Sequence, residues 1–506
     1  MSRRAYVGGL FGLAAAMLVL GFARPSTAGP SREGVFNEDV VRRVRDWILN
    51  DYVEDLDDFD MKLYLGALQG MTDVLDPHSQ FLTPEQLEQL MIDTRGKFGG
   101  LGIVIEKPMG KLGPIVVITP FLGTPASKAG IQPGDRIVEI EGESTIGIDI
   151  MEAVHRLRGD PGTEVKIKVQ RPPPDIDGAI SAGRVLMGSR LVSIDGQPME
   201  GRKESDIIEM LKEKRGQTVQ VAVVPTQLGE PEDVVLERAR IRVPVVEFAR
   251  MADPESGIGY VRLARFQQDS VNRLREAIEK LRAEGMRALV LDLRGNGGGL
   301  LRSAIDMARL FLPRGKVIVS TRARMVAGRT AAEEVYQTRV NGPYSEGLPL
   351  AILVDGYSAS ASEILAAAVK DNKRGIIVGT RTFGKGSVQK PYEVNLGSDP
   401  KNPNKPLIGS LKLTIEKYYT PAGISLQREE GKDTWGVEPT IEAKMTDAER
   451  IDLRRQWEKD KIAEQNGEDV AGEPDAARAR DPVLERAMEN LTTVLVLGGG
   501  ATEPAE

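Results

Sequence analysis

The chain has 506 residues, enough for about three or four domains, and its 41% hydrophobic content is ample for buried cores. A net charge of −7 and an aromatic content of 5% give neither an electrostatic nor a stacking basis for binding nucleic acid. There is no cysteine and there are only two histidines, which excludes disulfides and a thiol nucleophile and argues against a zinc site. We therefore expect no metal and no other cofactor.

A basic and then apolar segment opens the chain. Arg3 and Arg4 precede an uncharged, largely apolar run from Ala5 to Ala23. This pattern is typical of an export signal. Ser26–Ala28 fits a small-x-small cleavage site, so residues 1–28 are predicted to be a signal peptide, with a weak membrane anchor as the alternative. Either implies export to the periplasm or cell envelope.

Apolar residues then recur at helical spacing, and we predict a helical N-terminal region over residues 35–95. The turn Asp76–Ser79 interrupts it, and Thr83–Pro84 begins its last helix with a capping residue followed by proline. His78 lies in the interrupting turn and is interpreted as structural rather than as a ligand.

A glycine-rich run opens the next predicted domain, residues 96–172. Its candidate peptide-binding residues are Gly99, Gly100, Leu101, Gly102 and Ile103. They resemble the loop of a PDZ domain in which backbone N–H groups hold a peptide's terminal carboxylate and the next strand pairs with the peptide. The continuation through Ala126–Ile140 and a helix over Met151–Arg158 is PDZ-like as well, which argues against an ordinary glycine turn. His155, inside that helix, is expected at the surface.

The second half of this pattern occurs twice. Gly188–Gly196 repeats Gly134–Gly142 without a gap, and the same register continues from Leu157 to Leu211. Too few residues separate the copies for a complete second fold. We predict a truncated second PDZ-like unit over residues 175–226, without a carboxylate pocket of its own.

Strands and helices alternate in residues 240–445, which predicts an α/β core. Ala288–Leu293 reads as a buried strand that runs into the glycine-rich loop Asn296–Gly299. Leu350–Val354 is a second buried strand, and the alanine-rich segment Ile364–Val369 reads as a helix.

Serines 358, 360 and 362 lie at the turn between that strand and helix. A hydroxyl there stands beside the free N–H groups of a helix N-terminus, which suit a developing oxyanion. With both histidines far upstream, the remaining candidate base is a lysine of lowered pKa, and Lys385 lies in a glycine-flanked loop after the next strand. The alternative interpretation is a capped helix followed by a turn.

Nucleotide binding is a rival function for the same loop, since Gly379 to Lys385 has the spacing of a phosphate-binding loop. However, Gly386 stands where a Ser or Thr should hold magnesium. The residues that follow are β-like and contain Pro391, whereas a phosphate loop needs a helix there. The spacing alone therefore does not support a nucleotide site.

Three long motifs in order are similar to those of the carboxy-terminal processing (tail-specific) proteases, the S41 serine peptidases. They are Leu289–Leu301, Ser358–Glu363 and Gly379–Gln389. The resemblance implies that Ser360 is the nucleophile, Lys385 the general base and Gln389 the residue that orients the lysine. It also implies an oxyanion hole formed by the N–H groups of Ala361 and Gly298. The predicted fold class is α/β multidomain: N-terminal helices, a PDZ domain with a truncated second unit, and an S41 core related to ClpP and crotonase.

The resulting expectation is an exported serine endopeptidase that captures apolar C-terminal tails of protein substrates through its PDZ domain. Residues 446–506 are predicted to be a charged, helical C-terminal tail, with a terminal helix over Asp481–Leu497. The alternatives are a catalytically silent PDZ scaffold and a lipid- or retinoid-binding relative of the fold. Left open are an adaptor or regulator protein and assembly into a homodimer or larger oligomer.

Overall fold

A computed structural model describes residues 37–54, 59–107, 113–171, 190–194, 197–198, 210, 221–224, 231–323, 333–399, 402–465 and 479–498. The predicted signal peptide, residues 1–28, and residues 466–478 and 499–506 of the predicted C-terminal tail lie outside these ranges. The chain forms two compact units: the first contains the described parts of residues 1–96, 243–461 and 469–506, and the second those of 97–242 and 462–468. Of the helices described, none combines the length and hydropathy needed to cross a membrane.

The elements are numbered along the chain. The helices are α1 (Glu38–Asp51), α2 (Phe59–Asp73), α3 (Pro84–Arg95), α4 (Pro125–Lys128), α5 (Ile150–Leu157), α6 (Ser270–Ala283), α7 (Leu301–Phe311), α8 (Ala361–Asp371), α9 (Asp447–Gln465) and α10 (Pro482–Gly498). The strands are β1 (Gln80–Leu82), β2 (Lys97–Gly100), β3 (Ile103–Glu106), β4 (Ile115–Pro120), β5 (Arg136–Ile140), β6 (Glu143–Ser144), β7 (Glu164–Gln170), β8 (Arg190–Ile194), β9 (Gln197–Pro198), β10 (Val221–Val224), β11 (Glu232–Glu237), β12 (Ala239–Arg242), β13 (Val246–Asp253), β14 (Ile258–Leu263), β15 (Ala288–Asp292), β16 (Val317–Ala323), β17 (Glu333–Gln337), β18 (Leu350–Val354), β19 (Ile376–Gly379), β20 (Ser387–Asp399), β21 (Asn402–Tyr419) and β22 (Ile441–Glu442).

The central sheet of the first unit has the strand order β13-β14-β15-β18-β19-β22, parallel from β14 onward. Side chains alternate between its two faces, and both faces are covered. Leu289 and Leu291 pack with α6, α7 and α8, whereas Ala288 and Val290 pack with α10. Double coverage explains why these strands read as continuous apolar runs.

The N-terminal helices belong to this same unit. The predicted cap of α3 is confirmed, because the Thr83 and Gln86 side chains each accept the other residue's backbone N–H, at 3.4 and 3.0 Å. Helix α1, in contrast, has no buried residue, and Trp47 is exposed. Strand β1 pairs with β21 in a second sheet, order β1-β21-β16-β17, in which β20 also pairs with β21.

The second unit contains a sheet of order β11-β7-β5-β4-β3, with β6 paired to β5. Its core includes Ile115, Ile137 and Ile167 from the sheet and Ala153 from α5. Strand β11 follows the predicted repeat in sequence yet pairs with β7. The repeat is therefore inserted between two adjacent strands of one sheet. Strand β11 lies between the predicted domains 175–226 and 240–445.

The two copies of the repeat have the same strand pairing. In the first copy Ile140 faces Ile167 and Ile137 faces Val169, with a bulge between these pairs. In the second copy Ile194 faces Val221 and Leu191 faces Val223, again with a bulge. Each residue is displaced by 54 positions (194 minus 140). The repeated sequence thus encodes the same β-register, including its irregularity.

Candidate active site

The turn between β18 and α8 presents Ser360 in a strained backbone conformation. Its φ is 59° and ψ is −112°, which is rare for a residue other than glycine. Strain of this kind at a strand-to-helix turn exposes nucleophilic serines in other hydrolases. Ser360 is 1% exposed, and its Oγ has no hydrogen-bond partner among the described residues.

Geometry distinguishes Ser360 from the two neighbouring serines. Ser358 Oγ donates to the carbonyl oxygen of Leu293 (2.8 Å), and Ser362 Oγ donates to that of Asn296 (2.9 Å). Both outer serines therefore hold the turn against the glycine-rich loop. Of the three hydroxyls, only that of Ser360 makes no hydrogen bond to a described residue, so it is free to act as a nucleophile.

The glycine-rich loop lies directly beside Ser360. A Cβ at Gly298, where φ is 98°, would lie 2.8 Å from Ser360 Cβ and 2.9 Å from Ala361 N, so only glycine fits. Ala361 is the first residue of α8, and its N–H has no acceptor within the helix. The N–H of Gly298 donates to Asn296 Oδ1 at 2.9 Å. Of the two predicted oxyanion donors, the Gly298 N–H is therefore already hydrogen-bonded in this structure, whereas the Ala361 N–H has no acceptor within its own helix.

The carboxylate of Glu363 joins the serine turn to the lysine loop. It is fully buried and accepts the backbone N–H groups of Ser360 (2.7 Å), Gly384 (2.7 Å) and Lys385 (2.9 Å), and the hydroxyl of Thr382 (2.6 Å). Burial raises the pKa of Glu363, and these four donors oppose the rise. This role of Glu363 is not among the predictions made from the sequence, although the spacing Ser360-x-x-Glu363 is a capping-box signal.

Lys385 is 2% exposed in the loop between β19 and β20. Burial, and next the nearby charge of Lys412, lower the pKa of Lys385 to about 8. The other charged groups that act on it are Glu363 and Asp76. With this pKa about one tenth of the lysine is neutral at pH 7, far more than for an ordinary lysine, and a general base must be neutral.

Gln389 lies four residues after Lys385, on β20, and is 1% exposed. Its Nε2 donates to Ser387 Oγ (2.8 Å) and to Thr414 Oγ1 (3.3 Å). Its Oε1 is buried and has no partner within the described part of the chain. The amide oxygen is therefore available to accept a hydrogen bond from an N–H donor.

The turn Asp76–Ser79 lies in the same neighbourhood. Burial, and next the charge of Lys385, lower the pKa of His78. Thr414 Oγ1 donates to Asp76 Oδ1 at 3.1 Å. The sequence predicts only a structural role for His78, and no local sequence signal indicates that this turn lies near Lys385 and Lys412.

Replacing Lys412 by methionine is expected to move the acidic limb of the kcat/KM profile to higher pH. Removing a neighbouring positive charge raises the pKa of Lys385, so less of it is neutral at pH 7. We expect activity about fivefold lower at pH 7 and near wild type at pH 10. The pH profile of peptide cleavage measures this, with Lys417→Met on the same strand, where the side chain is 49% exposed, as the control. An unchanged profile would show that Lys412 does not tune the base.

A buried cluster of charged side chains surrounds Arg294, two residues before the glycine-rich loop Asn296–Gly299. The Arg294 guanidinium bonds to both oxygens of Asp481 (2.7 and 2.8 Å) and to Asp292 (2.7 Å). Burial opposes ionisation of Asp292, but the charges of Arg294 and Arg262 lower its pKa. Since Asp481 immediately precedes α10, the C-terminal helix is tied to the segment that leads into the loop.

In the second unit, the candidate carboxylate loop spans the junction of β2 and β3. Gly99 and Gly100 lie in β2 and pair with β12, Leu101 is a core residue, and Ile103 begins β3. Gly102 has a φ of 76°, and a Cβ there would lie 2.4 Å from Thr124 Cβ. Within the described residues no group of acidic or histidine side chains could hold a metal ion.

Comparisons with known proteins agree with this architecture. A family model for peptidase family S41 matches residues 257–443, and one for the PDZ domain matches residues 122–171. A carboxy-terminal-processing protease of Bartonella bacilliformis is 33% identical over 393 residues, 77% of this chain and 71% of the relative. Carboxy-terminal processing protease CtpA of Bacillus subtilis is 28% identical over 414 residues, 82% and 70% of the two chains. The solved photosystem II D1 C-terminal processing protease is 26% identical, with 83% and 92% coverage and a TM-score of 0.37.

The chain is thus a PDZ-containing protease of the α/β class. It belongs to peptidase family S41, among the carboxy-terminal processing proteases. The resemblance and the fold class inferred from the sequence are confirmed. Membership of this family supports a peptidase of the serine type. The PDZ match begins at residue 122, so the loop from Gly99 to Ile103 lies outside it and its role stays a prediction.

Proposed function

We propose that this protein is a serine endopeptidase that uses a Ser360–Lys385 dyad to cleave protein chains with exposed, apolar C-terminal tails. The observation that carries the proposal is the shared carboxylate of Glu363, which bonds the N–H groups of both residues. It ties an unpartnered hydroxyl on a strained turn to the loop that carries a lysine of lowered pKa.

The reaction begins when Lys385 Nζ takes the proton of Ser360 Oγ as Oγ bonds to the scissile carbonyl carbon. The peptide nitrogen then leaves with that proton from Lys385, and Ser360 remains as an acyl ester. A water molecule next gives a proton to Lys385 and attacks the ester carbon. Collapse releases the new carboxyl terminus and returns the proton to Ser360. Gln389 orients the lysine throughout.

Charge on the substrate carbonyl oxygen is stabilised by the N–H of Ala361 and by the glycine-rich loop, with Gly298 as the predicted second donor. The proximity of Gly298 to Ser360 supports this assignment. Because its N–H is bonded to Asn296 Oδ1, donation from Gly298 requires that this bond be shared or released when substrate binds.

The PDZ domain supplies the tail recognition. Backbone N–H groups around Leu101 and Gly102 would hold the terminal carboxylate, and β3 would pair with the tail. The substrates are proteins with exposed C-termini, as the names of the related proteases suggest. The basic and apolar segment of residues 1–28 supports a location in the cell envelope.

The test is digestion of an unfolded reporter by the purified protein beside its Ser360→Ala variant. The reporter ends in an apolar tail, in a charged tail, or in the apolar tail with its carboxylate amidated. We expect Ser360→Ala to lower cleavage at least about 10⁴-fold. We expect the wild type to prefer the apolar tail with a free carboxylate.

Three results would contradict the proposal in whole or in part. Undiminished cleavage by Ser360→Ala would exclude the dyad. Saturable tail binding by a wild-type protein that does not cleave would favour the silent scaffold. Equal cleavage of the three tails would preserve the peptidase but remove tail recognition by the PDZ domain.

A further inference from the structure

The turn Asp76–Ser79 packs against β21 next to Gln389. The Thr414 N–H donates to Ser79 Oγ (3.0 Å), and Thr414 Oγ1 bonds to both Asp76 Oδ1 (3.1 Å) and Gln389 Nε2 (3.3 Å). Thr414 thus connects the turn to the side chain that we assign to orienting Lys385. Asp76 and Thr414 are 338 residues apart in the chain.

The direction of these hydrogen bonds is fixed by chemistry. Asp76 also accepts the N–H groups of His78 (2.9 Å) and Ser79 (3.0 Å) and the hydroxyl of Ser79 (2.6 Å). Burial opposes ionisation, yet these bonds together lower the pKa of Asp76, so it is a carboxylate that can only accept. The single hydroxyl proton of Thr414 is therefore donated to Asp76, and Thr414 can only accept from Gln389.

This constraint determines which end of the Gln389 amide faces the lysine. An amide can rotate by 180° to exchange its oxygen and nitrogen with little change in shape. Here the Nε2 group is held by Thr414 Oγ1 and Ser387 Oγ, so Oε1 is directed elsewhere, buried and without a partner. Lys385, four residues earlier in the chain, is buried, carries N–H donors and is close enough to Asp76 for the charge of that carboxylate to act on it. An amide in the opposite orientation would present N–H groups to it instead.

We propose that Asp76 is a positioning residue for catalysis: through Thr414 it holds the Gln389 amide with Oε1 toward Lys385. Oε1 then accepts an N–H of Lys385, so that the lone pair of the amine can face Ser360. This inference rests on the proposed Ser360–Lys385 dyad. Since residues 76–79 lie outside the matched range 257–443, the N-terminal region completes the active site.

The first test breaks the hydrogen-bond relay Asp76–Thr414–Gln389 at Asp76 and at Thr414. Asp76→Ala frees the Thr414 hydroxyl to donate to Gln389, and Thr414→Val deletes the hydroxyl while keeping the β-branched shape. We expect each to lower kcat about 10²-fold with little change in KM, because the base is misoriented while substrate binding is intact. Asp76→Asn keeps Oδ1, and Thr414→Ser keeps the hydroxyl, so each should recover most of the loss.

The second test asks for a rescue that a structural role would not give. Glutamate at position 389 has an acceptor at both ends and needs no orientation. In the wild type, Gln389→Glu sets two carboxylates against one Thr414 proton, and we expect activity to fall. In the Asp76→Ala background the freed hydroxyl can donate to the new carboxylate, and we expect Gln389→Glu to raise kcat. Each variant is measured at its own optimal pH, since a carboxylate beside Lys385 raises the pKa of the amine.

Thermal unfolding shows whether each variant is folded, and Thr414→Val carries the test if Asp76→Ala is not. The inference is overturned if Thr414→Val retains the wild-type kcat, or if Gln389→Glu fails to raise the activity of a folded Asp76→Ala variant. These outcomes are distinct from failure of the dyad itself. If the dyad itself is wrong, Ser360→Ala would retain activity, whatever the activities of the Asp76 and Thr414 variants.

Discussion

Replacing Lys385 by methionine is expected to eliminate peptide-bond cleavage and at the same time to stabilise the folded protein at neutral pH. The amine is the proposed acceptor of the Ser360 proton, so without it we expect kcat to fall by about 10⁴-fold. The gain in stability comes from the same burial that lowers the pKa of Lys385 to about 8.

The sign of the stability effect follows from proton binding. The folded-state pKa of about 8 lies below the ordinary value of 10.5. Near pH 7 both states are protonated, so the folded state carries a buried cation at a cost of about 3 kcal/mol. Between about pH 8 and 10.5 the folded state loses its proton first, and wild-type stability should rise with pH. The advantage of Lys385→Met should therefore shrink over that window.

Denaturant unfolding at pH 7 and at pH 10 measures this difference for both proteins. Lys280→Met, which changes a lysine whose side chain is 67% exposed on α6, is the matched control and should show no such pH-dependent gain. A Lys385→Met variant that is less stable than the wild type at pH 7 would mean that the amine is not buried at a cost, and the lowered pKa would lose its physical basis.

Replacing Glu363 by glutamine is expected to lower kcat/KM about 10²-fold or more while leaving a folded protein. The carboxylate accepts four hydrogen bonds, whereas an amide turns one end into a donor. At least one N–H of the serine turn or of the lysine loop then faces another donor. Both loops lose their common anchor, and we also expect a stability loss of about 1–3 kcal/mol.

Steady-state kinetics and thermal unfolding test this prediction together. Glu279→Gln is the control, because Glu279 accepts one hydrogen bond, from Tyr344 Oη at 2.7 Å, which a glutamine can also accept. Activity of Glu363→Gln within about threefold of the wild type would show that the shared carboxylate is not needed to align Ser360 with Lys385.

Much of the fold could be read from local sequence. The runs Ala288–Leu293 and Leu350–Val354 predicted buried strands, and each proves to be covered on both faces. The internal repeat was visible in the residues, and its two copies share one pairing register. What local sequence did not indicate was that β11 returns to the sheet of β7 after the repeat, because strand pairing across an insertion depends on contacts rather than on composition.

The candidate site also has parts that could be predicted from the sequence and parts that could not. The family, the serine turn, the lysine loop and the glycine-rich loop could be predicted from the sequence, because each is marked by a contiguous motif that resembles those of the family. The groups that surround these motifs are defined by the folded structure. Glu363 bonding both loops, Lys412 acting on Lys385, and Asp76 reaching Gln389 through Thr414 are contacts between distant parts of the chain. The contacts of Lys412 and Asp76 depend on the pairing of β1 and β20 with β21, and the direction of a hydrogen bond is defined only once both of its partners are in place.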